Sequence, residues 1–151
     1  MVSAIPEGYP QMSPYLIVEN GAAAIDFYCS VFGGTEIMRM DEPGGKIGHA
    51  EVKVGTAVIM LADEHPDIGA LAPKTVGGTP VQILLYVEDV DKIYAAAIEA
   101  GATPLGEGGV SDQFYGDRVG QFLDPFGHKW HIATNIEDVT PEQMAERMAA
   151  Q

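Results

Sequence analysis

Basic side chains are scarce in this chain. Eight lysines and arginines stand against 22 aspartates and glutamates, a formal charge of −14 that repels phosphate backbones and argues against nucleic acid as a partner. Cysteine is nearly missing: Cys29 is the only one, so no internal disulfide forms, and its helical spacing with Ile25, Tyr28 and Phe32 reads as core packing rather than reactivity. No stretch approaches the roughly eighteen to twenty consecutive apolar residues of a membrane helix, and the N-terminus lacks a basic segment followed by an apolar core. The expectation is a cytoplasmic protein with no membrane partner. At 151 residues, 46% of them hydrophobic, the chain is long enough for one domain-sized core and short for two.

What the chain does contain is a repeat. Pro14-Tyr15-Leu16-Ile17-Val18-Glu19-Asn20 and a helix pattern ending at Gly33-Gly34 are answered about seventy residues later by Ile83-Leu84-Leu85-Tyr86-Val87-Glu88-Asp89 and a helix pattern ending at Gly101. In both copies an apolar strand stops at a polar turn that starts a helix, and a hairpin follows, Lys46 to Asp63 and Arg118 to Thr134. Such a unit is too small to bury its own sheet face, so two copies must pack or pair.

The expected organisation is one domain over 1–151: an arm (1–12), module one (13–63), a connection (64–80), module two (81–134), and a tail with a short helix (135–151). In module one the spacing predicts a strand at Tyr15 to Val18, a helix from about Ala22 to Phe32, and strands at Thr35 to Met40, Ile47 to Val54 and Ala57 to Ala62. The connection, rich in proline and glycine, predicts a loop over a site or an interface. Module two predicts strands at Val81 to Val87, Thr103 to Leu105, Arg118 to Leu123 and Lys129 to Thr134. Between them fall a helix carrying Val90, Ile93, Tyr94 and Ala97, and a glycine-rich loop at 106–116. Asp124-Pro125-Phe126-Gly127 is a turn signature. Thr140-Pro141-Glu142-Gln143 combines a capping box with proline at the first helical position. Met144 and Met148 on that last helix call for a partner surface, within the chain or on a second copy.

These features together resemble the vicinal oxygen chelate superfamily. The resemblance is carried by Ala24-Ile25-Asp26-Phe27-Tyr28 leading to Phe32-Gly33-Gly34, by Val87-Glu88-Asp89-Val90-Asp91, and by Asp124-Pro125-Phe126-Gly127-His128 before the last strand. It covers about Met12 to Glu137. Within the superfamily the chain most resembles the glyoxalase/bleomycin-resistance/dioxygenase proteins, and among them the bacterial branch associated with phosphonate operons, through Asp117-Arg118, the Asp-Pro-Phe-Gly-His turn and 136–142. The resemblance implies an α+β fold: two paired βαβββ modules in a curved mixed sheet whose concave face is a cup, usually completed in a homodimer.

Metal-dependent members take one ligand from the first and one from the last strand of each module. Carried over by alignment, those positions are Ser13, Met60, Gln82 and His131. Serine is a poor ligand and a thioether does not suit the divalent ions this family uses, so no full metal site and no cofactor are expected. Asp63, Glu64, His49 and Glu51 are the replacements to inspect if a divalent ion is present.

Strand alternation anchored on Gln82 and His131 places Leu84 and Tyr86 in the cup, with Ile83, Leu85, Val87, Trp130 and Ile132 turned to the helices. In module one Tyr15, Met60, His49 and Glu51 face the cup, while Arg118, Gly120 and Phe122 are expected as its second wall. The expected ligand contacts are Tyr15, Met60, Gln82, Leu84, Tyr86, Arg118, Phe122 and His131. The catalytic candidates are His49, Glu51 and His131, since His49 and Glu51 share one strand face at acid/base distance. Arg118 suits a carboxylate or phosphonate, or an ion pair with neighbouring Asp117. Phe114 and Tyr115 read as lid residues, and His65 and His128 as solvent-facing. Three readings follow: a metal-independent binder of a small organic ligand, as bleomycin-resistance relatives sequester drugs, with the acidic surface favouring cations; a metal-dependent lyase, isomerase or dioxygenase of the glyoxalase type; and a metal-free enzyme using His49/Glu51 or His131.

Overall fold

The computed structural model describes residues 1–151, which divide into two compact units, Met1–Pro80 with Phe126–His128, and Val81–Pro125 with Lys129–Gln151. The first contains β1 (Tyr15–Val18), α1 (Gly21–Phe32), β2 (Thr35–Asp41), β3 (Ile47–Val54) and β4 (Ala57–Asp63). Its sheet runs β1-β4-β3-β2, with β1 parallel to β4 and the other pairs antiparallel. The second contains β5 (Gln82–Tyr86), β6 (Thr103–Pro104), β7 (Val110–Asp112), β8 (Asp117–Leu123) and β9 (Lys129–Asn135). There the order is β5-β9-β8-β6, with β7 also on β8 and β5–β9 the parallel pair. The fold is α+β, as the resemblance implied, with a mixed sheet in each unit.

The repeated strand-to-helix turn has the same physics in both units. The first N–H groups of a helix lack intrahelical acceptors and need a side-chain oxygen. Asn20 Oδ1 accepts from Ala23 N (3.1 Å) at the start of α1, and Asp89 Oδ1 accepts from Lys92 N (3.1 Å) at the start of the helix Val90–Glu99. A second acceptor arrives from the end of each last strand. Asp63 Oδ1 takes Gly21 N (2.9 Å), and Thr134 Oγ1 takes Val90 N (2.9 Å). Helix α1 stops where Gly33 turns left-handed at φ 68°. Gly34 then passes so close to β3 that an added Cβ would lie 2.8 Å from Val52 Cγ1.

Each helix covers one sheet face. In the first unit Ala24, Ile25, Phe27, Tyr28, Val31 and Phe32 are buried, as are Leu16, Val18, Ala50, Val52 and Leu61. Cys29 sits at the margin of this stripe, half-buried. Burial, and next the charge of Glu36, raise its thiol above the usual range, so it is not a ready thiolate. Phe126 meets the rings of Phe27 and Tyr28, each at 6.1 Å between centroids, so the Asp-Pro-Phe-Gly-His turn delivers an aromatic to the first core. In the second unit Trp130, Ile132 and Phe122 are buried with Val90 and Ala97 of the helix, and the indole Nε1 donates to buried Asp124 Oδ2 at 2.9 Å. Trp130 is therefore core.

The connection is more ordered than a plain loop. A 3-10 turn (Pro66–Ile68) precedes α2 (Pro73–Val76), and Glu64 Oε1 accepts Ala72 N at 2.7 Å. The Val90–Glu99 helix is α3, and β7 crosses the stretch expected to be a loop. Residues 113–116 are tied to the tail: Arg147 Nη1 of α4 (Pro141–Ala149) donates to the Phe114 carbonyl at 3.1 Å, and Gly116 O accepts from Ile136 N and Glu137 N. The capping box of α4 is present as expected. Met144 is partly covered and Met148 remains exposed.

Two substitutions check this core. Phe122→Ala is expected to cost about 3 to 5 kcal/mol in denaturant unfolding. Gly116→Ala should also destabilise strongly, because Gly116 has φ 97° and a Cβ would collide with the Glu137 carbonyl. A Phe122→Ala protein of wild-type stability would contradict the packing.

Candidate functional site

The helix-free face of the first sheet is read from register. On β3, Ala50, Val52 and Val54 turn to α1, which leaves His49 and Glu51 on the opposite face. Glu51 pairs with Met60 on β4 and with Met38 on β2, and Tyr15 pairs with Met60, so these four form one row across the sheet. His49 lies one step along, opposite Met40. Tyr15, Met60, His49 and Glu51 thus share a face, as strand alternation predicted.

These side chains are hydrogen-bonded in series. Tyr15 Oη lies 2.8 Å from His49 Nδ1, and His49 Nε2 lies 2.8 Å from Glu51 Oε2. The other Glu51 oxygen accepts the Tyr9 hydroxyl at 2.5 Å. Tyr9 belongs to the N-terminal arm, which the alternation argument did not reach, and no strand periodicity marks it. Glu51 is 5% exposed. Burial alone would raise its carboxyl, but the hydrogen bonds from His49 and Tyr9 lead the opposing effects that hold the group below the usual glutamate value. An ionised Glu51 accepts only, so Nε2 carries the proton and, in the neutral ring, Nδ1 accepts from Tyr15. Burial, and next the Glu51 charge, raise the Tyr15 phenol, so it stays protonated at neutral pH.

Tyr15 also borders a cleft of about 440 Å³ in the same unit, with Ile17, Ile47 and Ile68 as apolar walls and Lys46 and His65 among the polar ones. This is the size of a small-molecule site. The arrangement can hold a small organic molecule and exchange one proton with it.

The open face of the second sheet carries Gln82, Leu84, Tyr86 and His131, because Leu84 pairs with His131 and Tyr86 with Ala133. Its β8 contribution differs from the expectation. Gln121 pairs with His131, whereas Gly120 pairs with Ile132 and Phe122 with Trp130. Arg118, Gly120 and Phe122 therefore face α3. Phe122 is fully buried with its ring 6.4 Å from Tyr94, and Arg118 forks onto Asp91 (2.9 Å twice) and reaches Asp112 (2.9 Å), which raises its already high pKa. The slip is one residue, enough to exchange the whole wall. Nor is Asp117 the partner of Arg118: it accepts from Tyr86 Oη at 2.8 Å and Asn135 Nδ2 at 3.1 Å.

Gln121 Nε2 lies 3.0 Å from His131 Nδ1, and both line a second cleft of about 290 Å³ with Tyr115, Val119 and residues 105–109. Sequence reasoning missed Gln121, although the repeat marks it: it stands opposite His131 as Glu51 stands opposite Met60. His128 is not solvent-facing, since its Nε2 lies 2.9 Å from the Ile17 carbonyl.

The residues at the family's metal positions do not fit a catalytic divalent ion. Ser13 offers a hydroxyl, Met60 a thioether, Gln82 an amide, and only His131 an imidazole; such sites use about three good donors. The replacements are committed elsewhere. Asp63 holds Gly21 N and, through Oδ2, Ile47 N at 2.7 Å, Glu64 holds Ala72 N, and His49 and Glu51 hold each other. No group of three or more His, Cys, Asp or Glu side chains is placed to hold a metal ion.

The profile of the glyoxalase/bleomycin resistance protein/dioxygenase superfamily matches residues 11–132. This chain belongs to that superfamily. An uncharacterised protein of Mycobacterium bovis is 38% identical over 145 residues, covering 94% of both chains, and an uncharacterised protein of Mycobacterium tuberculosis is equally similar over 84% of its own length. Among solved structures, TioX from Micromonospora sp. ML1 aligns with a TM-score of 0.65 at 26% identity, over 84% of this chain and 99% of that one. A glyoxalase/bleomycin resistance protein/dioxygenase from Nocardioides aligns at 0.61 and 20% identity, over 93% and 90%. The latter likeness concerns the fold.

The charge state of Glu51 generates a prediction. A carboxyl held below its unfolded value of about 4.3 contributes stability above that value and loses it as pH falls through the folded-state value. Glu51→Gln and Tyr9→Phe should therefore flatten the acid side of the stability curve, as measured by urea unfolding from about pH 6 down to 3. Curves that fall in parallel with wild type would refute the assigned charge state.

Proposed function

We propose that this protein binds a small organic ligand on the open faces of its sheets without a resident metal ion. The supporting observation is the Tyr15-His49-Glu51-Tyr9 series beside the 440 Å³ cleft, a mixture of apolar walls and few convergent polar groups typical of ligand sites. Tyr15, Met60, Gln82, Leu84, Tyr86 and His131 supply contacts. Arg118 and Phe122 are withdrawn from that role by their places against α3. The donor chemistry at Ser13, Met60, Gln82 and His131 favours this reading over the metal-dependent lyase, isomerase or dioxygenase.

The whole chain acts as one cytoplasmic glyoxalase-like domain, and a second copy completes the cup. The edge strands support pairing: β2 is exposed along its whole length with Ile37, Met38 and Met40, and β5 exposes Leu84 and Tyr86 with Val81 just before it. We also place the chain with the phosphonate-operon-associated branch, on Asp117-Arg118, the Asp-Pro-Phe-Gly-His turn and 136–142. A phosphonate ligand does not follow, because the Arg118 guanidinium is already paired.

A thermal-shift screen of small neutral and cationic organic compounds tests the binding reading, since a ligand selective for the folded state raises the melting temperature. Hits are expected to lose about tenfold or more in affinity with Tyr15→Ala or Met60→Ala, about 1.4 kcal/mol, and to be indifferent to chelator. Stoichiometric zinc, nickel, manganese or iron retained through gel filtration would overturn the metal-free part. Light scattering at micromolar concentration should give a dimer mass.

A further inference from the structure

We propose that Tyr15 is a proton-transferring catalytic residue for small, neutral, enolisable carbonyl compounds bound in the 440 Å³ cleft. The inference deepens the binding reading above and rests on it. Tyr15 belongs both to the cleft wall and to the hydrogen-bonded series. In the neutral ring, with Nε2–H held by ionised Glu51, His49 Nδ1 faces the phenol as an acceptor. A phenol so placed accepts a proton at oxygen as it releases its own to the ring, and it need not ionise first.

The step balances without an oxidant, reductant or second reactant. A C–H bond beside the carbonyl breaks and its proton goes to Tyr15 Oη, while the Tyr15 proton moves to His49 Nδ1. The C–H electron pair becomes the carbon–carbon double bond of an enolate, and the carbonyl pair moves onto oxygen as its negative charge. Lys46 lines the same cleft and supplies positive charge for that oxygen. The new imidazolium lies against the Glu51 carboxylate at 2.8 Å, which makes Glu51 a positioning residue. The protons held on Tyr15 and His49 exchange with water through the half-exposed ring, and their return by the same path to the same carbon gives hydrogen exchange.

Charge sets the substrate class. Lys46 is the one ammonium among the lining residues, beside Glu42, Asp63, Glu64 and Asp67. This surplus of carboxylates disfavours an anionic keto acid and leaves a neutral aldehyde or ketone.

The test is ¹H NMR of hydroxyacetone and, separately, pyruvate in D₂O with the full-length protein. Wild type should wash deuterium into hydroxyacetone faster than buffer and into pyruvate much less, with no change on adding EDTA. Tyr15→Phe, which removes one oxygen from a half-exposed ring, should lower the rate by about 10² to 10⁴-fold. His49→Ala should lose it similarly and regain part with imidazole in the buffer, a rescue that a structural role would not give. Glu51→Gln should slow exchange while leaving hydroxyacetone affinity unchanged. Exchange no faster than buffer, exchange surviving Tyr15→Phe, equal rates for pyruvate, or loss with EDTA would each overturn the proposal. Saturation-transfer NMR separates it from the binding reading: hydroxyacetone that binds without exchanging sinks the relay alone, whereas a compound screen with no hits sinks the binding site itself.

Discussion

A carboxylate in an otherwise apolar row of side chains organises the open face of the first sheet. Glu51 stands opposite Met60 and Met38 and is almost completely buried. An ionised carboxylate removed from water is costly unless donors replace the solvent. The donors are His49 from the same strand and Tyr9 from the arm. Once His49 commits one nitrogen to Glu51, its other nitrogen is fixed as the contact for Tyr15. The tautomer and the orientation of the phenol follow from where one charge is buried.

The two units share a frame and differ in what they hang on it. Asn20 and Asp89 cap equivalent helices, and Asp63 and Thr134 reinforce those caps from equivalent strand ends. These positions carry backbone accounting that every copy must settle. The open-face positions carry no such debt and have diverged. Tyr15, Met60 and Glu51 in one row correspond to Leu84, His131 and Gln121 in the other. One row holds a buried charge and a relay, and the other a neutral amide-imidazole pair.

Membership of the glyoxalase/bleomycin resistance protein/dioxygenase superfamily accounts for the frame and not for the chemistry, because a fold hosts whatever site its strands present. Here the donor atoms at the family's metal positions are unsuited to a divalent ion. In the first unit the polar groups that do converge gather around His49 and Glu51, one strand over from Met60, on β3.

By itself the sequence determined the repeated modules, the ends of every strand but β7 to within one residue, the helix caps, the capping box of α4, and the faces of β1, β3, β5 and β9. Each of these is a local property, since capping, turn chemistry and two-residue alternation act over a few bonds. Tertiary structure alone decided three things. The hairpin register of β8 against β9 turned Phe122 and Arg118 to the helix and brought Gln121 to His131, because a turn's length sets parity and a one-residue difference inverts it. The arm brought Tyr9 to Glu51 across 42 residues of sequence, a contact no local pattern encodes. Asp63 and Glu64 became caps of nearby backbone rather than ligands, because a carboxylate within reach of unpaired N–H groups is drawn to them first.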